Sequence, residues 1–107
     1  MGTQTTKVTV EHHVKVQVSQ HGHFNYTHQR LKVHPGQTIT WNSPDGDLGI
    51  QFAVLTPGEN IAMTAPQGTD VSDEVRQDAA PGRYKYTVAV AKNGKVFIDD
   101  PEVIVET

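Results

Sequence analysis

The chain has 107 residues, 36% hydrophobic and 20% charged, with three Phe, three Tyr, one Trp and no Cys. That length supports one domain with one core, and the composition is that of a small β-rich globular protein rather than a disordered chain. The lack of Cys excludes disulfide scaffolds, zinc–thiolate and iron–sulfur sites and thiol nucleophiles. The formal net charge of −3 is far from the basic balance of a nucleic-acid binder. No run in the sequence approaches the roughly 18 apolar residues of a membrane-spanning helix.

Charge is unevenly distributed. Residues 1–34 carry Lys7, Lys15, Arg30 and Lys32 against Glu11 alone, while residues 35–107 carry five basic and eleven acidic residues. All six His, at positions 12, 13, 21, 23, 28 and 34, lie in the positive part, so acidification deepens the contrast. A protein partner, or association of copies through opposite charges, is the expectation this sets. The opening "MGTQTTKVTV" contains no apolar stretch of the secretory type. A cytoplasmic location follows if the chain is complete, a periplasmic or secreted one if a signal has been removed.

Residues 1–6 read as a flexible tail before a single domain spanning 7–107. From Val8 to Val18 the even positions are Val, Val, His, Val, Val and Val and the odd ones are polar. This period of two predicts a strand with one buried face. Gly22 turns the chain, and a second extended segment runs from Phe24 to Val33 with a bulge or break near Gln29, where the apolar parity slips. Pro35-Gly36 predicts a type II turn, "TITW" a short strand, "NSPDGDLG" a long turn and "IQFAVL" a strand. "TPGENIAMTAPQGTD" reads as a loop, and "VSDEV" as a short strand or one helical turn. The last third is a hairpin: Tyr84, Tyr86, Val88 and Val90 share a face, Asn93-Gly94 is a two-residue turn with both φ positive, and "KVFI" returns. Its register sets Val90 opposite Phe97 and Asp99 beside Val88, where pairing is expected to end. "VIV" at 103–105 closes a sandwich of seven or eight strands.

Two stretches carry a resemblance. "LKVHPGQTITWNSPDG" resembles the cupredoxin pattern of strand, Pro-Gly turn, strand ending in an aromatic, and Asn-containing loop; "APGRYKYTV" resembles that family's Gly-x-Tyr-x-Tyr strand. Over residues 30–105 the resemblance implies a Greek-key, plastocyanin- or azurin-type β-sandwich. An immunoglobulin-like interaction domain is the alternative, since Pro-Gly turns between strands occur there too. The resemblance also implies a copper site that these residues do not supply. Type 1 copper takes a Cys thiolate and two His, with a weak axial Met. The first His falls near Leu48 to Ile50, where "DLGIQF" has none, and the Cys position is Val88. The loop for the second His and the Met is replaced by "KNGK", and the Met residues stand at 1 and 63.

Histidine is the one residue type in unusual supply. His21 and His23 share a face in an extended segment, a spacing that suits two imidazoles on Cu(II), Zn(II) or Ni(II), with His28 a third ligand if the chain folds back. The competing reading is a polar hairpin that exposes them. His12, on an apolar face, reads as a hydrogen-bonded core or rim residue, and His34 as a turn residue. "DGD" at 45–47 resembles the start of a calcium loop but lacks its later ligands and so reads as a turn. Asp99, Asp100 and Glu102 read as charges blunting a sheet edge rather than as an anionic site. No G-x-S-x-G, H-E-x-x-H or phosphate-cradling Gly-rich loop is present, and alternation sends His12 and His13 to opposite faces. The expectation is a non-catalytic, copper-free binding or assembly module without a cofactor, with a His-mediated metal-binding protein as the alternative.

Overall fold

The computed structural model describes residues 10–107, and within them the chain forms ten strands and no helix. The strands are β1 (Glu11–Val18), β2 (Phe24–Tyr26), β3 (Arg30–Val33), β4 (Thr38–Asn42) and β5 (Asp47–Phe52), followed by β6 (Ala62–Ala65), β7 (Asp70–Glu74), β8 (Gly82–Lys92), β9 (Lys95–Asp99) and β10 (Glu102–Val105). They build two sheets, one ordered β2-β1-β4-β7, the other β3-β10-β8-β5-β6 with β9 also on β8. The expected tail over 1–6 and the strand start at Val8 lie outside the described residues.

Period-two patterning places the core. Val14, Val16 and Val18 of β1 face Leu48, Ile50 and Phe52 of β5 and Tyr86, Val88 and Val90 of β8 across the sandwich, in one buried cluster with Trp41 and Val103. Each such side chain contributes about 1.5–3 kcal/mol by leaving water. At the centre the Trp41 indole N–H donates to the Tyr86 hydroxyl at 3.2 Å. The two rings meet edge to face at 5.9 Å, an arrangement that aligns ring quadrupoles favourably.

The break near Gln29 is real and larger than a bulge. β2 pairs with β1 in the first sheet and β3 pairs in parallel with β10 in the second, so the chain changes sheets across residues 27–29. Gly36 holds φ 86° and the Gln37 N–H bonds the His34 carbonyl at 3.2 Å, as a type II turn requires. "VSDEV" falls in strand β7, which pairs with β4. Three expectations need correction. β5 begins at Asp47, inside the segment read as a turn, because Leu48 pairs with Val90 and is buried. It ends at Phe52, leaving Val54 and Leu55 exposed rather than in a strand. The loop read from "TPGENIAMTAPQGTD" contains β6, a strand of small residues held by pairing with β5.

The C-terminal hairpin is the fourth correction. Asn93 (φ 52°) and Gly94 (φ 73°) make the predicted turn, and Val90 faces Phe97 and Val88 faces Asp99 as the register requires. Pairing does not end there. The same register resumes from Lys85 opposite Glu102 to Gly82 opposite Val105. Between the two stretches the Tyr86 N–H still bonds the Pro101 carbonyl at 3.1 Å; only the missing N–H of Pro101 interrupts the ladder.

Candidate functional site

The positions that the sequence resemblance assigns to copper ligands lie within strands β5 and β8 and are closed by packing. Val88, at the position of the thiolate, is 0% exposed, and Leu48 and Ile50, where the first His is implied, are each 2% exposed. β8 runs on past Val88 to Lys92 instead of opening into a ligand-bearing loop. Beside it, the Asp45 carboxylate accepts the Val18 N–H at 2.7 Å and the Lys92 ammonium donates to the Val18 carbonyl at 2.9 Å. Both backbone groups at the end of β1 are thereby satisfied by side chains, which is what a buried strand end requires. Asp45 lies in a bend, as expected for "DGD", whereas Asp47 already opens β5; its Oδ1 accepts the Gln67 N–H at 2.9 Å.

His21 and His23 are exposed in the Ser19–His23 turn and His28 is exposed beyond β2. Among the described residues no three His, Asp or Glu side chains stand together as a set that could hold a metal ion. His12 has the hydrogen-bonded rim role expected of it. Its Nε2 donates to Gln37 Oε1 at 2.7 Å, and the same oxygen accepts the His34 N–H at 3.0 Å. His34 Nδ1 donates in turn to the Glu106 carbonyl at 3.0 Å. His13 lies on the opposite, exposed face, 3.5 Å from Glu11.

The acidic run at 99–102 is neither an anionic patch nor a uniform edge guard. Asp99 accepts from the Tyr26 hydroxyl at 2.8 Å, Asp100 lies 3.7 Å from Lys85, and Glu102 lies 3.3 Å from Arg30. Glu102 is buried on β10, an interior strand flanked by β3 and β8, so edge protection is ruled out for it. Burial, followed by the hydrogen bond to Asp99 and that carboxylate's charge, pushes the Tyr26 phenol far above its ordinary range.

Two exposed apolar tracts remain, and both escaped the sequence reading. A cleft of about 370 Å³ lies between Val54 and Leu55 on one side and Pro81, Arg83 and Tyr84 on the other. The segment that bears it is anchored from below. The buried Asp73 carboxylate accepts the Glu59 N–H at 3.0 Å and the Asn60 N–H at 3.0 Å, and a side chain at Gly58 would strike that carboxylate. The second tract is the outer face of the second sheet. Thr64, Gly49, Ala89 and Ile98 form one row across four strands, with Ala91 and Val96 beside it. Val96 is 64% and Ile98 66% exposed.

No protein-family model and no curated protein sequence matches the chain. Solved structures do match its backbone. A purple cupredoxin from Nitrosopumilus maritimus superposes with a TM-score of 0.62 at 16% identity, over 89% of this chain and 99% of that one. The fold is cupredoxin-like. A reduced Cu(I) form of an amicyanin mutant matches with a TM-score of 0.54 at 19% identity, over 96% of this chain and 87% of that one. A copper-containing nitrite reductase from Thermus scotoductus matches all of this chain with 24% of its own length, at a TM-score of 0.60 and 13% identity. This cupredoxin-like domain has no cysteine in its sequence and carries Val88 where the resemblance implies the thiolate ligand.

Proposed function

We propose that the chain is a non-catalytic, copper-free binding or assembly module built on the cupredoxin scaffold. The observation that carries this reading is Val88, sealed at 0% exposure in the place of a thiolate. Packing there contributes about 1.5–3 kcal/mol of apolar burial where a copper protein has a metal bond. The apolar residues left outside the core support binding: Val96 and Ile98 on the sheet face, and Val54 and Leu55 above their cleft. Contiguous exposed apolar patches mark interaction surfaces.

The test is a Cu(II) and Zn(II) titration of the full chain, followed by metal retained against a chelator and by the melting temperature. The expected result is no stoichiometric metal and an unchanged melting temperature. One retained ion per chain with a raised melting temperature, lost when His21, His23 and His28 are replaced by Ala, overturns the copper-free reading in favour of metal binding.

A further inference from the structure

The free edge of β9 carries a self-complementary sequence. Among the described residues β9 pairs with β8 alone. Natural sheet edges are usually blunted by Pro, a bulge or inward-pointing charge. Lys95-Val96-Phe97-Ile98-Asp99 has no Pro and keeps regular register with β8 throughout, and its charges, on the core-facing side with Phe97, stand only at the two ends of the strand. Laid antiparallel against itself about Phe97, it sets Lys95 opposite Asp99, Val96 opposite Ile98 and Phe97 opposite itself. Sidedness agrees as well. Lys95, Phe97 and Asp99 share one side of the strand, while Val96 and Ile98 share the other, at 64% and 66% exposure. Moving the centre of pairing to Ile98 sets Phe97 against Asp99 and Val96 against Asp100, apolar against charged in both cases. Only the register centred on Phe97 matches the charges. Asp99 is held at this edge by the Tyr26 hydroxyl, which occupies its Oδ2.

We infer that β9 is the contact strand of a two-fold dimer, with a second copy of this chain as its partner. The inference rests on the assembly reading and names its occupant. Pairing gives an isologous interface in which each contact occurs twice. It supplies partners for the edge backbone groups by strand addition, and adds two Lys–Asp pairs and two Val–Ile pairs, the cross-strand combinations that favour sheets. The β6-β5-β8-β9 sheet then runs continuously through both copies. Five residues a side make a small interface, so the dimer is weak and reversible.

The experiment is sedimentation equilibrium of the full chain up to about 1 mM, the range in which weak association is read. Wild type is expected to show a monomer–dimer equilibrium. K95D sets like charges opposite each other in its own dimer, as does D99K, and each is expected to weaken dimerisation at least about tenfold. An equimolar mixture of K95D and D99K restores opposite charges at both positions and is expected to dimerise like wild type, which also establishes that both variants fold. A wild type that stays monomeric throughout, or a mixture no better than its components, overturns the inference. A wild-type dimer indifferent to all three samples also overturns it, by placing the contact elsewhere, yet leaves the assembly reading standing. Stoichiometric copper, by contrast, would overturn that reading without touching this equilibrium.

Discussion

Tyr26 on β2 and Asp99 on β9 join the two sheets through a hydrogen bond of 2.8 Å at the edge of the sandwich. The acceptor is charged and the donor half-buried, the combination in which a hydrogen bond matters most. Tyr26→Phe keeps the ring stacked on Phe24, at 5.8 Å, and removes only the hydroxyl. Urea unfolding should show a loss of about 1.5–3 kcal/mol. An unchanged midpoint would mean that solvent serves Asp99 equally well.

Alkaline pH should weaken the fold through Tyr86. Burial pushes its phenol up to about 12, against an ordinary value of 10.0. The folded state thus favours the protonated form. The associated stability is fully present below pH 10 and is lost as pH rises toward 12, up to about 2–3 kcal/mol. Melting temperatures measured across this window should fall in wild type and fall less in Tyr86→Phe. That variant starts lower, because the Trp41 N–H has lost its acceptor.

Asp73→Ala leaves two loop N–H groups without their carboxylate and should cost about 2–4 kcal/mol. The effect should be local first. Limited proteolysis is expected to cut within residues 54–61 faster in the variant than in wild type, because Asp73 fixes that segment from beneath.

Gly94→Ala puts a Cβ at φ 73°, where an L residue is strained by roughly 1–2 kcal/mol. Chemical denaturation should register that loss without any change in fold. A neutral result would place the turn's constraint on Asn93 alone.

Val88→Cys tests directly the packing at the position where the resemblance implies a thiolate. The side chain is 0% exposed, so the new thiol should react with a disulfide reagent only on unfolding. Rapid modification in the native state would mean that the sheet opens around residue 88, against the packing described for it.

The parts of the fold that were legible in the sequence are those in which side-chain chemistry and backbone need coincide. Asn93-Gly94 announces its turn because both residues tolerate positive φ, and Val14, Val16 and Val18 announce a buried face by alternation. β6 was illegible because Ala62 to Ala65 has little apolar contrast; its strand exists through pairing with β5. Val54 and Leu55 misled in the other direction, since apolar character predicts burial and theirs is outward. The same blindness hid the candidate surface. Whether Val96 and Ile98 face a core or open water depends on which face of β9 the other sheet packs against, and that packing is set by distant parts of the chain. Val88 was read correctly as a core residue, from the face it shares with Tyr86 and Val90.

The uninterrupted register from Lys92 opposite Lys95 to Gly82 opposite Val105 also has a kinetic consequence. It is a long pairing that closes over a two-residue loop, whereas β1 meets β4 and β3 meets β10 only across large separations in sequence. Closing a short loop costs little chain entropy and takes microseconds. The order of folding is therefore expected to run from the C-terminal hairpin outward, with β1 added late. Substitutions around Asn93-Gly94 should then slow folding, and those in β1 should chiefly speed unfolding.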